Sequence, residues 1–112
     1  MENNLQNSNY VFRVDKFTVP AAARDEFLDR ARATHRLLRA MPGFVEDHFL
    51  EQTGHPRHLK FVTIVVWVNA QAFDAAKSAV QQHYRAIGSN PAELVHRLGI
   101  EADMAALTEL KT

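Results

Sequence analysis

The sequence contains no cysteine, which excludes disulfide bonds, thiolate nucleophiles, cysteine-ligated zinc and iron–sulfur clusters. It also lacks an excess of either charge, because 13 Lys and Arg residues balance 13 Asp and Glu residues. A neutral chain has no general electrostatic attraction for nucleic acid or an acidic membrane. No apolar run approaches the roughly 18 residues of a membrane span, and no secretion signal is recognisable. We therefore expect a cytoplasmic protein that binds neither nucleic acid nor membrane.

The 112 residues are enough for one domain with a substantial core and too few for two. Hydrophobic residues make up 46% of the chain and charged residues 23%, which is typical of globular proteins. Residues 1–9 include four Asn and little that could be buried. We predict that this segment is a flexible leader and that residues 10–112 form a single domain.

The most apolar stretch runs from Phe61 to Val68, where Thr63 is the only polar residue. It is rich in the β-branched and aromatic side chains that favour strands. Successive side chains of a strand point to opposite faces, so both faces of this strand would be apolar. A half-solvated strand would instead have polar residues at every second position. The pattern predicts a central strand covered by helices on one face and by a second protein surface on the other.

Apolar periodicity, capping residues and turn residues predict the other elements. They are a strand at 10–19, a helix from Pro20 to about Met41, a strand at 44–52, a helix at about 70–86, a short helix at 91–98 and a closing strand at 100–110. The composition of 100–110 favours a helix, but the topology requires a strand there. The resulting order, β-α-β-β-α-β, is the ferredoxin-like arrangement of α+β proteins with an antiparallel sheet.

Two helices cover only one face of such a sheet. Exposing the Val, Ile and Phe side chains of the other face would forgo roughly 1.5–3 kcal/mol each. In total this exceeds the few kcal/mol by which a small domain is stable. A symmetric homodimer, packed sheet against sheet, is the simplest solution. The alternative is a monomer that buries this face under its own termini.

Two motifs resemble the antibiotic biosynthesis monooxygenase family. The first is Met41-Pro42-Gly43-Phe44, between the first helix and the second strand. The second is Val66-Trp67-Val68-Asn69-Ala70-Gln71-Ala72-Phe73, similar to that family's strand-end tryptophan, short polar link and helical aromatic residue. The resemblance extends over about Tyr10 to Ala86. It implies a dimeric α+β barrel with a small-molecule cavity between sheet and helices. It also implies oxygen chemistry without metal or flavin, in which a phenol or quinol substrate itself activates dioxygen.

The chain departs from two catalytic patterns of that family. Members that oxidise polycyclic phenols have Asn where Thr63 stands and Tyr where Phe73 stands, so an amide and a hydroxyl are missing here. Haem-degrading members have an Asn on the first strand and an iron-binding His on the second helix. Asp15 is the nearest match to that Asn, and His83 lies later in its helix than the usual ligand. The resemblance therefore supports the fold more strongly than either activity.

The candidate catalytic groups come from the two helices and the central strand. His35 and His83 lie at the edges of the apolar stripes of the two helices and could flank one cavity. A neutral imidazole could take the proton of a phenol, and the phenolate would then reduce oxygen by one electron. Trp67 could orient the ligand through its indole N–H. The predicted catalytic residues are His83, His35 and Trp67, and the predicted substrate-binding residues are Phe12, Thr63, Phe73 and Tyr84.

Structural roles compete with these assignments. Trp67 could close the core, and each histidine could be partly buried with a backbone partner. We expect Lys77 to extend to water, with contact to an anionic substrate group as the alternative. His55 and His58 are interpreted as part of a solvated turn, so no metal site is predicted. The spacing of Glu46, Asp47 and Glu51 indicates no acid–base arrangement.

Three functions remain open from the sequence. The first is a cofactor-independent monooxygenase acting on a small aromatic phenol or quinol. The second is a haem-binding or haem-degrading protein. The third is a non-catalytic dimeric barrel that binds a small molecule. The first is favoured because the aromatic residues and the two histidines could together line a cavity that has few polar groups.

Overall fold

A computed structural model describes residues 9–54 and 57–110. In chain order, its elements are β1 (Val11–Val19), a 3₁₀ turn (Ala21–Ala23), α1 (Arg24–Arg39), β2 (Phe44–Glu51), β3 (Leu59–Trp67), α2 (Ala70–Ala86), α3 (Pro91–Leu98) and β4 (Glu101–Thr108). The predicted order is confirmed, including the closing strand. All of the predicted leader except Asn9 lies outside the described residues, as does His55 of the proposed turn. No helix in the described ranges is long and apolar enough to cross a membrane.

Local chemistry accounts for most helix ends. The side chain of Asn69 accepts a hydrogen bond from the backbone N–H of Ala72 at 2.8 Å and caps α2. Asn90 caps α3 in the same way, and Gly99 ends that helix in the left-handed conformation. The prediction that Pro20 is the first helical residue is wrong. Its backbone is extended, with φ −59° and ψ 142°, so the 3₁₀ turn begins after it.

The strands form one antiparallel sheet in the order β2-β3-β1-β4. Along the two central strands, Val11 lies opposite Trp67 and Val19 lies opposite Leu59. This register places the odd-numbered residues of β1 and β3 on the face that the helices cover. Met104 of β4 lies opposite Asp15 and joins the same face.

The core between sheet and helices contains two clusters of buried side chains. The first contains Val19, Ala23, Phe27, Leu28, Phe61 and Ile100. The second contains Val11, Val65, Trp67 and Ala76. In the first, the ring of Phe27 packs between those of Phe17 and Phe61, with centroid distances of 4.9 and 5.2 Å. These clusters hold α1 and α2 against the sheet.

The centre of the opposite face of the sheet is also apolar, and no helix in the described ranges covers it. Strand pairing places Phe12 beside Val66 and Leu107 there, and Leu50 beside Val62. Leu50 and Leu107 are each 49% exposed. The central strand is therefore apolar on both faces, as predicted.

A bulge near the start of β2 changes which side chains face the helices. Phe44 lies opposite Trp67, but Glu46 rather than Val45 lies opposite Val66. The residues after the bulge are therefore shifted by one position relative to strict alternation. Strict alternation along the predicted strand at 44–52 would place Phe44 and Asp47 on opposite faces, and this expectation is wrong. Both face the helices, as does Phe49.

Gly43 joins α1 to β2 where the chain passes close to α2. Its φ of +85° lies in the left-handed region, and its carbonyl accepts a hydrogen bond from the N–H of Val68 at 2.9 Å. A Cβ at this position would overlap the Cβ of Ala72. Glycine is therefore required here by both conformation and space.

We expect Gly43→Ala to destabilise the fold more than Gly88→Ala. Both glycines have positive φ, so each substitution incurs the roughly 1–2 kcal/mol cost of a left-handed alanine. Only at Gly43 would the new methyl group also meet a neighbour, since nothing lies within 4 Å of a Cβ at Gly88. Urea unfolding of both variants measures the difference. Equal losses of unfolding free energy would contradict the close contact with Ala72.

Candidate functional site

A cavity of about 670 Å³ lies between the helices and the sheet. Arg13, Asp15, Thr63 and Trp67 contribute side chains from β1 and β3. The helices contribute mainly apolar groups, among them Phe27, Ala31, Leu38, Phe73, Ala76, Val80, Leu94 and Val95. This volume is in the range of small-molecule binding sites. The cavity lies where the resemblance to the monooxygenase family implied it would.

His35 is the buried histidine of this cavity, with 6% of its surface exposed. Its Nδ1 lies 2.9 Å from Oδ2 of Asp47, and Nε of Arg39 donates to the same oxygen at 3.0 Å. Because Arg39 follows His35 by one helical turn, α1 directs both side chains to the same carboxylate. The ring of Phe49 packs on the imidazole with centroids 5.2 Å apart. The imidazole is therefore held by a carboxylate and by an aromatic ring.

The charge state of Asp47 determines which nitrogen of His35 is available. Burial alone would raise the pKa of Asp47, but hydrogen bonds from His35 and Arg39, with their positive charges, outweigh burial and lower it. An ionised carboxylate only accepts hydrogen bonds, so Nδ1 of His35 carries the proton. In neutral His35, Nε2 then holds the free electron pair.

Nε2 of His35 is open to cavity space. This nitrogen forms no hydrogen bond with a described residue. Every fully buried side-chain nitrogen or oxygen in the described ranges has a partner, so Nε2 is not fully buried. His35 lines both the main cavity and a second one of about 400 Å³ between α1 and β2. The second cavity is bordered by Arg32, Arg36 and Arg39 of α1. His35 thus has the geometry of a general base with an oriented imidazole.

Asp15 is the one acidic side chain in the described lining of the main cavity. Arg13 donates to it through Nε at 2.6 Å and reaches Sδ of Met104 through Nη2 at 3.1 Å. Burial raises the pKa of Asp15, although the hydrogen bond from Arg13 and the charges of Arg13 and His35 oppose this. The pKa values of Asp15 and Asp47, which both lie on the helix-covered face of the sheet, are therefore shifted in opposite directions.

Trp67 forms part of the cavity floor and is 2% exposed. The edge of its ring meets the ring of Phe44 at a centroid distance of 5.9 Å. On the helix side, the hydroxyl groups of Thr34 and Tyr84 share a hydrogen bond that joins α1 to α2. An aromatic and a hydroxyl-bearing surface therefore face each other across the cavity.

The structure brings most of the predicted site residues together. The cavity is lined by His35, Trp67, Thr63, Phe73 and Tyr84. His83 and Phe12 do not line it. His83 is exposed on α2, where it precedes Tyr84 by one residue and hence by about 100° around the helix. Phe12 lies opposite Val66 on the face of the sheet that points away from the helices. In both cases the element was predicted correctly, but the side chain points away from the cavity.

Two groups at the site were missed by sequence reasoning. Strict alternation separated Asp47 from Phe44, because the bulge in β2 leaves no clear sequence signal. Arg13 was not among the predicted site residues. The one-turn spacing of His35 and Arg39 was a weak signal for a shared acidic partner. Across residues 9–54 and 57–110, no group of three or more His, Asp or Glu side chains could hold a metal ion.

The strands and helices define a ferredoxin-like α+β domain with a cavity between its sheet and helices. The family model described as Antibiotic biosynthesis monooxygenase matches residues 11–87. The chain belongs to the antibiotic biosynthesis monooxygenase family, which confirms the resemblance. No curated protein matches the chain.

Several solved structures share this fold. SnoaB, a cofactor-independent oxygenase from Streptomyces nogalater, is 24% identical, with a TM-score of 0.65 and coverage of 93% of this chain and 96% of SnoaB. A conserved protein from Methanosarcina mazei Go1 is 14% identical, with a TM-score of 0.75 and coverage of 96% and 99%. A dimeric ferredoxin-like protein from an uncultured marine organism is 9% identical, with a TM-score of 0.70 and coverage of 92% and 97%. At these identities the similarity shows the fold alone.

We expect Asp47→Asn to destabilise the protein by about 2 kcal/mol at neutral pH, since it removes hydrogen bonds to a charged acceptor. The pKa of Asp47 is below its ordinary value of 3.8, so the ionised form stabilises the fold above that pH. This contribution is lost as pH falls through the lowered pKa. Urea unfolding at several pH values should therefore show a difference between wild type and variant that shrinks in acid.

The matched control for this experiment is Glu46→Gln. Glu46 precedes Asp47, but its side chain is 57% exposed and pairs with exposed His48. Exposed pairs contribute little to stability, so this variant should unfold like the wild type. A pH-independent loss in Asp47→Asn, or an equal loss in both variants, would contradict the role of the buried carboxylate.

Proposed function

We propose that this protein is a cofactor-independent monooxygenase that oxidises a small aromatic phenol or quinol in the cavity between sheet and helices. The observation that carries the proposal is the His35–Asp47 pair, in which Nδ1 is held by a carboxylate and Nε2 is open to cavity space. Membership in the antibiotic biosynthesis monooxygenase family supports it. The structural similarity to SnoaB, itself a cofactor-independent oxygenase, is consistent with it.

The chemistry begins with proton transfer from the phenol to Nε2 of His35. The phenolate gives one electron to dioxygen, and the resulting phenoxyl radical and superoxide combine at a ring carbon. The peroxide anion takes the proton back from His35, and loss of water then leaves a quinone. One phenol and one dioxygen yield one quinone and one water, so the substrate supplies all the electrons.

Other residues position the reactants. The carboxylate of Asp47 fixes the imidazole tautomer and stabilises the imidazolium that forms when the phenol is deprotonated. Trp67 offers a flat surface and an indole N–H to the ligand on the cavity floor. Thr63, Phe73 and Tyr84 complete the proposed substrate-binding surface. The apolar lining limits the access of water to the reactive oxygen species.

The two other functions have less support from the geometry. A haem-binding function was expected to use His83 as the iron ligand, but His83 lies outside the cavity. A non-catalytic binding function would use the same cavity and would give the His35–Asp47 pair no chemical task. The monooxygenase proposal accounts for both the cavity and the pair.

We also propose that the protein is a homodimer that packs sheet against sheet. The centre of the face that carries Phe12, Val66 and Leu107 is apolar, and none of the helices that the structure describes lies over it. Complete burial of a Leu side chain contributes roughly 1.5–3 kcal/mol. Leu50 and Leu107 are half exposed, so a dimer that covered them would gain part of this free energy for each. The similar fold of a dimeric ferredoxin-like protein supports this arrangement.

We expect His35→Gln to lower the rate of oxygen uptake with a reactive hydroquinone by about 10²-fold or more, the usual contribution of a general base. His83→Gln is the matched control, because this histidine is exposed and outside the cavity. It should retain the wild-type rate. An oxygen electrode and a panel of hydroquinones provide the measurement. If His35→Gln keeps its activity, or if no hydroquinone is consumed by the wild type, the proposed mechanism is wrong.

We expect light scattering to give a mass of twice the 12.7 kDa protomer. Leu50→Glu should shift the protein towards the monomer, because it places a charge in the proposed interface. Ile87→Glu is the control, since Ile87 is 61% exposed on the helix side and should leave the dimer intact. A monomeric wild type at micromolar concentration would contradict the proposed dimer.

A further inference from the structure

The lining of the main cavity is more basic than the chain as a whole. The full sequence has as many acidic as basic residues, yet the described lining contains four basic side chains and one acidic one. The basic residues are Arg13, Arg30, Lys77 and Arg85. The acidic residue, Asp15, is paired with Arg13 at 2.6 Å. The cavity therefore has a positive potential, which its apolar walls strengthen.

Two of these basic groups lie on one side of α2. Lys77, Gln81 and Arg85 follow one another at four-residue spacing, about 6 Å per step, and all three are exposed while lining the cavity. The neighbouring stripe of α2 is apolar and contains Phe73, Ala76, Val80 and Tyr84. The helix thus presents an apolar surface to the interior and a basic edge to the mouth of the cavity.

The two basic residues of this edge, Lys77 and Arg85, form no salt bridge within the described part of the chain. Arg24, Arg39 and Arg97 form salt bridges with Glu51, Asp47 and Glu26. Lys77 and Arg85 form none with a described residue. Arg30 donates to Ser89, a neutral group, at the same end of the cavity as Arg85. Cations that line a cavity without a protein counter-charge can pair with an anionic group on a ligand.

We propose that the substrate is an aromatic acid, a phenol or quinol with a carboxylate that binds at the Lys77–Arg85 edge. The aromatic ring lies over the floor formed by Trp67, and the phenolic hydroxyl reaches His35. The orientation of the hydroxyl rests on the monooxygenase function proposed above. A carboxylate at the mouth remains partly hydrated, so it is not forced into the apolar interior. In this arrangement Lys77 binds the carboxylate in addition to contacting water.

The test compares gentisate with gentisamide, two hydroquinones of nearly the same shape of which only the first is an anion at neutral pH. Binding is measured without oxygen by calorimetry. Quenching of Trp67, the only tryptophan, places each ligand in the cavity. We expect gentisate to bind about tenfold more tightly at low salt, with an advantage that declines as salt is added. Equal affinities would overturn the inference.

The double variant Lys77→Gln, Arg85→Gln should bind gentisate about as weakly as gentisamide. Its affinity for gentisamide should be unchanged, which also shows that the variant is folded. Arg57→Gln is the control, because Arg57 is exposed and lines neither cavity. It should keep the preference for gentisate. The inference fails if the double variant keeps that preference, or if the control loses it equally.

The outcomes separate this inference from the proposed function. Selective binding of gentisate without oxygen uptake from any hydroquinone would contradict the monooxygenase function and support the preference for an acid. Equal oxygen uptake and equal affinity with gentisate and gentisamide would support the monooxygenase function and contradict the preference for an acid.

Discussion

The bulge at Val45 of β2 determines which side chains of that strand face the helices. It places Asp47 opposite Val65 and Phe49 opposite Thr63, on the face that His35 approaches from α1. Without the extra residue, the neighbours Glu46 and His48 would face the cavity instead. The carboxylate that holds the imidazole and the ring that packs on it therefore depend on the same irregularity. Bulges frequently re-aim side chains beside functional sites, and this one has that effect.

The two carboxylates on the helix-covered face differ in their surroundings. Asp47 receives hydrogen bonds from His35 and Arg39, which overcome the effect of burial and lower its pKa. Asp15 has Arg13 as its one hydrogen-bond donor in the described residues, and burial raises its pKa. Opposite pKa shifts in two acids on the same face of a sheet are a way to give each a separate task. Here the firmly ionised group orients the histidine, and the other one balances a cation in the cavity.

Most of the fold was predictable because long segments of the sequence carry one clear period. The two-sided apolar pattern of β3, the helical stripes and the Asn caps placed most elements in the correct order, whereas β4 was assigned from the topology against its own composition. His35, Trp67, Thr63, Phe73 and Tyr84 were correctly placed at the cavity. His83 was not, because an edge position on a helical stripe can turn either way. Asp47 was missed because a bulge moves a side chain to the other face without changing the composition of the strand.

The short helix α3 differs from its neighbours in how it is anchored. It contributes Leu94 and Val95 to the cavity wall, yet none of its eight residues is buried. By contrast, α1 is anchored by three buried side chains, and Gly43 packs tightly against the first turn of α2. Enlarging the cavity therefore costs least packing energy at α3. Under the proposed function, the displacement that α3 tolerates would therefore limit the size of the ligand, and sequence variation in this helix would alter that limit.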